Sequence, residues 1–486
     1  MSDIVLATVN AKFQHAAFGI RYLYANLGEL QARATIKEWS LGVRERDVVE
    51  SLLSLEPKII GLSVYIWNVD ILTNIAQLLK TLRPDIVLVI GGPEVSFEWE
   101  ETLIFQLADF LVRGEGDLVF AELCKQLLNG EKPQQKALPG GLPPLENLAC
   151  PYPFYSDFDL KHGRIVYVEA SRGCPFQCHF CLSSLDKSVR AFELEGFLGH
   201  MDTLISRGVQ KFKFVDRTFN LKASTSEKIL SFFAERYQEG MFLHFEMIPD
   251  RLPASLKPLI AKFPDGVLQF EVGIQSFNPD VCDRIGRRQK FKAIDENLSF
   301  LREHTGVHVH ADLIAGLPGE DIESFARGFD KLWSLGVSEI QVGILKRLRG
   351  TPITTADEEW AMVYSSRAPY EVLQTSHLSF QELQRLNRFA RYWDLVANSG
   401  RFPRLTRTLL QAQSAFWAFL EFSDWLHQTL GITTGISAKR LGDSLALFLT
   451  DIKENPAPTI ERELAADRGL SRNKNLPKRQ ARHAAV

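Results

Sequence analysis

The stretch Ala170-Ser171-Arg172-Gly173-Cys174-Pro175-Phe176-Gln177-Cys178-His179-Phe180-Cys181 packs three cysteines into eight residues. That spacing can set three thiolates around one metal cluster and leave a coordination position open. A cubane of four irons needs four ligands to be closed, and three are supplied here. The apolar run Ile165 to Val168 before the loop reads as a strand, and Gly173 and Pro175 give a turn in which backbone wraps closely around an inorganic core. Phe180, beside the last cysteine, can shield one face from water. Two other readings compete. Zinc could recruit His179 into a Cys3His site, although a histidine between two ligands in so short a loop is badly placed to reach the same ion. Three buried thiols in a turn are the other.

Outward from the loop, strand-like runs recur at Lys211 to Val215, Leu243 to Met247, Leu268 to Ile274, Val307 to Ile314 and Glu339 to Ile344, with helical stretches between them. With the strand before the loop they make six units of a partial (β/α)6 barrel, whose catalytic groups belong at the carboxyl edge. Asp216 and Glu246 stand at such ends, and Glu271, Gly273 and Gln275 share one face of a strand by period two. Acids at strand ends, such as Asp216 or Glu320, often only cap helices. Glu271 and Asp312 stand within apolar strands, where a charge needs a partner or ligand to offset its desolvation.

Before the loop, Asp3 to Val9, Ala34 to Trp39, Ile59 to Tyr65, Ile86 to Ile90 and Ala108 to Val112 alternate with amphipathic stretches such as Asp70 to Leu82. This predicts a flavodoxin-like, doubly wound parallel sheet, in which ligands bind beyond the carboxyl ends of the strands. Those ends hold Ser63 and Tyr65, Gly91-Gly92-Pro93-Glu94 and Gly114-Glu115-Gly116. No Gly-x-Gly-x-x-Gly opens a helix and no Gly-Lys-Ser/Thr loop is present, which argues against a nucleotide site.

The order Cys-x3-Cys-x2-Cys with an aromatic before the third cysteine resembles the radical S-adenosyl-L-methionine (SAM) superfamily. The resemblance implies that Cys174, Cys178 and Cys181 hold a 4Fe-4S cluster whose fourth iron chelates SAM, and that an electron from the cluster cleaves SAM to a 5'-deoxyadenosyl radical. Glu-x-Gly-x-Gln-Ser at Glu271 and Asp-Leu-Ile-x-Gly-Leu-Pro-Gly at Asp312 resemble the segments that hold SAM in that family, and resemble anaerobic coproporphyrinogen oxidases as well. They imply SAM contacts from Glu271, Gln275 and Asp312, with Asp216 as a further candidate. Gly-Leu-Ser-Val-Tyr, Val-Ile-Gly-Gly-Pro-Glu-Val and Val-Arg-Gly-Glu-Gly-Asp are similar to the cobalamin-binding domain of cobalamin-dependent radical SAM enzymes. This implies cobalamin contacts from Ser63, Tyr65, Gly91, Gly92, Glu94, Gly114 and Glu115. Cobalamin mutases carry Asp-x-His-x-x-Gly in the first loop, whereas this chain has Phe13-Gln14-His15-Ala16-Ala17-Phe18-Gly19. The expectation is a cobalt whose lower face is not ligated by His15.

The chain has 486 residues, room for several domains. The reading divides it into a cobalamin-binding domain (1–130), a Pro/Gly-rich linker (131–160), a radical SAM domain (161–350), a helical C-terminal domain (351–455) and a disordered basic tail (456–486). The helical part resembles a poorly characterised extension of one subgroup, with Leu383, Leu386, Phe389, Ala390 and Trp393 on one apolar stripe. A net charge of -3 gives no reason to invoke nucleic acid, and the tail's basic residues lack interleaved aromatics. No apolar run reaches transmembrane length, and no signal region precedes the first strand, so a cytoplasmic enzyme is expected. Six cysteines are too few for a disulfide scaffold, and three of them need a reducing compartment.

The function that the resemblance to cobalamin-dependent radical SAM enzymes implies is radical methylation of an unactivated carbon, or of phosphorus, in a small-molecule substrate, with an external electron donor such as flavodoxin or ferredoxin. Cobalamin-assisted oxidation, cyclisation or rearrangement without methyl transfer is the second reading. A cobalamin-binding sensor with a structural cluster is the third, and it requires a fourth ligand from Cys150 or Cys282.

Overall fold

The computed structural model describes residues 2–472. Six parallel strands form the first sheet: β1 (Ile4–Asn10), β2 (Ala34–Ser40), β3 (Ile59–Ser63), β4 (Val87–Gly91), β5 (Phe110–Arg113) and β6 (Ala137–Pro139). Their order is β2-β1-β3-β4-β5-β6, the doubly wound arrangement. Helices cover both faces, so β1 and β3 are buried along their whole length and read as mostly apolar runs, broken by Thr8, Asn10 and Ser63. Edge strand β2 instead mixes apolar and charged residues, with Ile36 and Trp39 beside Lys37 and Glu38, and is half-buried throughout.

The second sheet is an open arc. Its strands are β7 (Val166–Val168) and, beyond a two-stranded ribbon of β8 (Ser171–Arg172) and β9 (Arg190–Ala191), β10 (Lys211–Phe214), β11 (Phe242–Met247), β12 (Leu268–Gln275), β13 (His308–Ala315) and β14 (Glu339–Ile344). They pair in parallel in the order β14-β13-β12-β11-β10-β7. Along β12 and β13 buried and half-buried residues alternate strictly. Leu268, Phe270, Val272 and Ile274 pack outward into the main core, and Gln269, Glu271, Gly273 and Gln275 point into the arc. The partial barrel is therefore apolar towards its helices and polar inside.

Two parts of the sequence-based division change. The segment 131–160 is not a free linker. It supplies β6, which pairs with β5 from Leu111↔Ala137 to Arg113↔Pro139. It also buries Tyr152 and Tyr155, and Asp159 enters a ring of charges with Arg21, Glu38 and Arg164. Nor is all of 456–486 disordered. Ala457–Arg472 is a helix that buries Ile460 and Leu464, and its Asp467 accepts the backbone N–H groups of Arg404 and Leu405 at the start of helix Pro403–Leu409. The tail's remaining basic residues, from Lys474 on, lie outside the described residues.

Helix Phe380–Trp393 opens on a capping box, Ser379 with Glu382, and docks on the barrel helix Ile322–Leu335. Phe329 stacks edge-on to Phe389 and Trp393, with ring centroids 5.1 and 4.7 Å apart. Among the described residues no helix is long and apolar enough to cross a membrane.

Candidate functional site

The ribbon sets Arg172 opposite Arg190 and closes residues 173–189 into a loop that carries the three cysteines. Gly173 has φ +93°, and a Cβ there would stand 1.7 Å from the Ser188 carbonyl oxygen, so only glycine fits. Inside the loop the Cys174 N–H donates to the Asp186 carbonyl (3.2 Å) and the Cys181 N–H to that of Cys178 (3.1 Å). The three cysteines and Phe180 line one cavity of about 250 Å³ at the carboxyl ends of the barrel strands. His179 is not in it; its N–H donates to Ile285, and its ring lies against Gly286. With His179 held away, the cavity offers the three thiols without the imidazole that a Cys3His zinc site would need, a donor set that fits a cluster. No fourth cysteine lines that cavity. The Cys282 thiol donates to the Ser276 carbonyl (3.3 Å), Cys124 is buried in the first domain, and Cys150 borders a different cavity beside Tyr152 and His200.

The same cavity is lined by Glu271, Gly273, Gln275 and Asp312. At Gln275 the β12–β13 register shifts and the backbone turns to φ +69°, folding the side chain back over Gly273, where a Cβ would meet its Nε2 at 2.4 Å. Gln275 Oε1, Gln289 Oε1 and Asp312 Oδ1 are buried without a hydrogen-bond partner. Each such atom costs about 1–3 kcal/mol, so the cavity is built for a ligand rich in polar groups, as SAM is. Burial, and then the charges of Glu271 and Glu246, push the Asp312 carboxyl well above the usual carboxylate range. Glu271 goes the other way. Burial pushes it up, but the His244 imidazole (Nε2 3.1 Å away) and the charge of Lys213 (3.7 Å away) outweigh this, leaving it at about 2.

Two residues that the sequence reading did not single out complete this wall. Arg287 places Nη1 3.4 Å from Cys178 Sγ and also donates to the Gly273 carbonyl, which joins the cluster loop to β12. Arg217 pairs with Glu246 at 3.0 Å. Asp216 does not line the cavity. It is buried, accepting from the Ala170 N–H (3.0 Å) and Ser171 Oγ (2.6 Å), so it fixes the strand end that leads into the ribbon.

A second cavity, of about 260 Å³, opens over the carboxyl ends of β3, β4 and β5. Ser63, Tyr65, Gly91, Gly92, Gly114 and Glu115 line it, as does Gly61, where a Cβ would come within 3.0 Å of the Phe120 ring. At Gly116 a Cβ would come within 3.0 Å of Val112. Glycine is needed at Gly61 and Gly116 because side chains there would push Phe120 and Val112 of the lining out of place, and at Gly114 the wall opens with nothing within 4 Å of a Cβ; a flat apolar slot of this kind suits the nucleotide tail of cobalamin. Its rim is charged, with Glu115, Asp117, Glu169 and Arg172. Burial pushes Glu169 up to about 7 even beside Arg172. Glu94 is absent from this lining. Its buried carboxylate accepts from Tyr370 Oη (2.6 Å) and Arg349 Nε (3.0 Å), tying the first domain to the segment beyond the barrel. His15 also lies outside the lining, with Nδ1 2.5 Å from Tyr167 Oη.

A glycine-lined slot and a three-cysteine cavity on a partial barrel match the two domains of a cobalamin-dependent radical SAM protein, a B12-binding domain followed by a radical SAM domain. Family models agree: "B12 binding domain" matches residues 4–124, "Radical SAM superfamily" residues 168–332, and "Protein of unknown function (DUF4080)" residues 358–482. An uncharacterized methyltransferase of Pyrococcus horikoshii is 26% identical over 332 residues, covering 63% of this chain and 70% of that protein. The cobalamin-dependent radical SAM methyltransferase TokK of Streptomyces tokunonensis is 25% identical over 350 residues, covering 63% of this chain and 49% of its own; the chain thus spans about half of that relative. The radical SAM methyltransferase TsrM of Kitasatospora setae, solved with cobalamin and a 4Fe-4S cluster bound, shares the fold with a TM-score of 0.59 at 18% identity, covering 78% of this chain and 82% of that one.

Proposed function

We propose that this chain is a radical methyltransferase that moves a methyl group from SAM, by way of cobalamin, to an unactivated carbon or to phosphorus of a small molecule. The observation that carries the reading is the pair of cavities, one with three cysteines and orphaned polar atoms, the other a glycine-lined slot whose rim includes Arg172, two residues before Cys174. Two curated relatives named as methyltransferases support the choice of chemistry. When bound, the cofactors would supply a deoxyadenosyl radical and a methyl group. The chain's own residues do the rest. Cys174, Cys178 and Cys181 would hold the cluster, Asp312 and Gln275 would orient SAM through their unpaired oxygens, and the polar inner face of β12 and β13 would receive the substrate. Ser63, Tyr65 and Gly114 would bed the cobalamin. Reduction would come from an external donor such as flavodoxin or ferredoxin, in a cytoplasmic setting where thiols stay reduced.

Anaerobic reconstitution followed by mass spectrometry tests this. A methyltransferase yields S-adenosylhomocysteine together with 5'-deoxyadenosine. Deoxyadenosine alone would favour an oxidation, cyclisation or rearrangement.

A further inference from the structure

Arg172 and Arg190 are direct cross-strand partners in the ribbon that closes the cysteine loop. Like charges facing each other across two strands repel, and this ribbon is only two residues long on each side, so it needs an external clasp. The clasp comes from the other domain. Glu115, in the loop after β5, accepts from Arg172 Nη1 with one oxygen (2.9 Å) and from Arg190 Nη2 with the other. Asp117 adds two bonds to Arg172 (3.1 and 3.2 Å), and Glu169 holds its Nε (2.9 Å). Arg190 also reaches Asp186 (3.4 Å), whose backbone carbonyl accepts the Cys174 N–H. Glu115, Asp117 and Arg172 form the rim of the glycine slot, whereas Arg190 does not touch it.

We infer that Glu115 is a positioning residue for the cluster loop, and that through it the two cofactors bind cooperatively: a filled slot holds the cysteine loop closed, and a closed loop holds the rim of the slot in place. By linkage the effect is reciprocal, and couplings of this kind are typically about 5- to 150-fold. The inference rests on both cofactors binding where the proposed function puts them, and not on the reaction they perform.

The test needs no turnover. Hydroxocobalamin affinity is measured on cluster-loaded and cluster-free full-length protein, and the rate at which a chelator bleaches the cluster's visible absorption is measured with and without hydroxocobalamin. In the parent the cluster should tighten cobalamin at least fivefold, and cobalamin should slow bleaching. In Arg190→Gln, whose side chain does not line the slot but holds its rim through Glu115, both effects should shrink towards onefold. Glu115→Gln should lose the coupling too, and Glu115→Asp should restore part of it. Melting curves of the cluster-free variants show that they fold. A parent with no coupling, or an Arg190→Gln variant that keeps it in full, overturns the inference. Loss of either cofactor's binding in the parent would instead overturn the proposed function.

Discussion

Asp312→Asn exchanges one oxygen of a buried carboxyl for an amide nitrogen and keeps its shape. In the free protein this carboxyl lies on the inner face of β13 with Oδ1 unpartnered, and burial disfavours its charged form. The substitution therefore should not lower the melting temperature of the free protein, since burial already favours the neutral carboxyl and the amide that replaces it is neutral too. SAM is a cation with hydroxyl and ammonium donors, and it should lose a charge-assisted hydrogen bond worth about 1.5–3 kcal/mol, which is roughly ten- to a hundred-fold in affinity. The pH dependence gives a second readout. Because the Asp312 pKa is raised in the free protein and a bound cation favours the carboxylate, SAM binding should release a proton. Affinity in the parent should then climb as pH rises, by at most about tenfold per unit, until the free-protein pKa is passed. In Asp312→Asn this slope should vanish. Glu271, held at about 2, stays ionised throughout and adds no slope. Isothermal titration of SAM into anaerobically reconstituted protein at several pH values measures both effects. An Asn variant that binds within twofold of the parent and keeps its pH slope would refute the assignment of Asp312 to SAM.

Replacing Cys174, Cys178 and Cys181 together by alanine should abolish the broad visible absorption and all SAM cleavage while cobalamin still binds, weakened only by the lost coupling; a variant with full iron occupancy would sink the ligand assignment. His15→Ala should leave the electronic spectrum and cobalt resonance of bound cobalamin unchanged, because His15 is engaged with Tyr167 outside the slot, and a shifted cobalt signal would show it to be a ligand. Gly92→Ala should cost about 1–3 kcal/mol, since φ there is +111° and a Cβ would stand 2.5 Å from the Val64 carbonyl oxygen. The protein should melt lower and lose cobalamin on gel filtration, and an unaltered melt would contradict the backbone reading.

Most strands were legible because buried parallel strands write themselves as apolar runs, so β1, β3, β13 and β14 fall within a residue or two of the sequence-based bounds. Strand β6 was not, since Ala137-Leu138-Pro139 is three residues long, lies at the sheet edge and ends in proline. Helix Ala457–Arg472 hid behind its charge, because it docks through few apolar anchors and through Asp467, a capping role that no local pattern announces. In the site, Cys174, Cys178, Cys181, Gln275 and Asp312 could be found by type and spacing. Asp216 and Glu94 also sit at strand ends, but pattern does not say whether such a carboxylate faces the cavity, a backbone N–H or an arginine from far along the chain. For Glu94 that arginine is Arg349, and its hydroxyl partner Tyr370 is more distant still. Arg287 escaped notice for the same reason, since it reaches Cys178 from a loop after helix Pro279–Arg284.

The claim that SAM's methyl group passes through cobalamin on this chain is tested most directly by incubating the reduced, reconstituted protein with methyl-deuterated SAM. Cobalamin is then extracted in the dark for mass spectrometry. Methyl transfer by way of cobalamin predicts a deuterated methyl group on the cobalamin, about one per chain, with an equal amount of S-adenosylhomocysteine. Unlabelled cobalamin in a protein that still cleaves SAM to 5'-deoxyadenosine would contradict it.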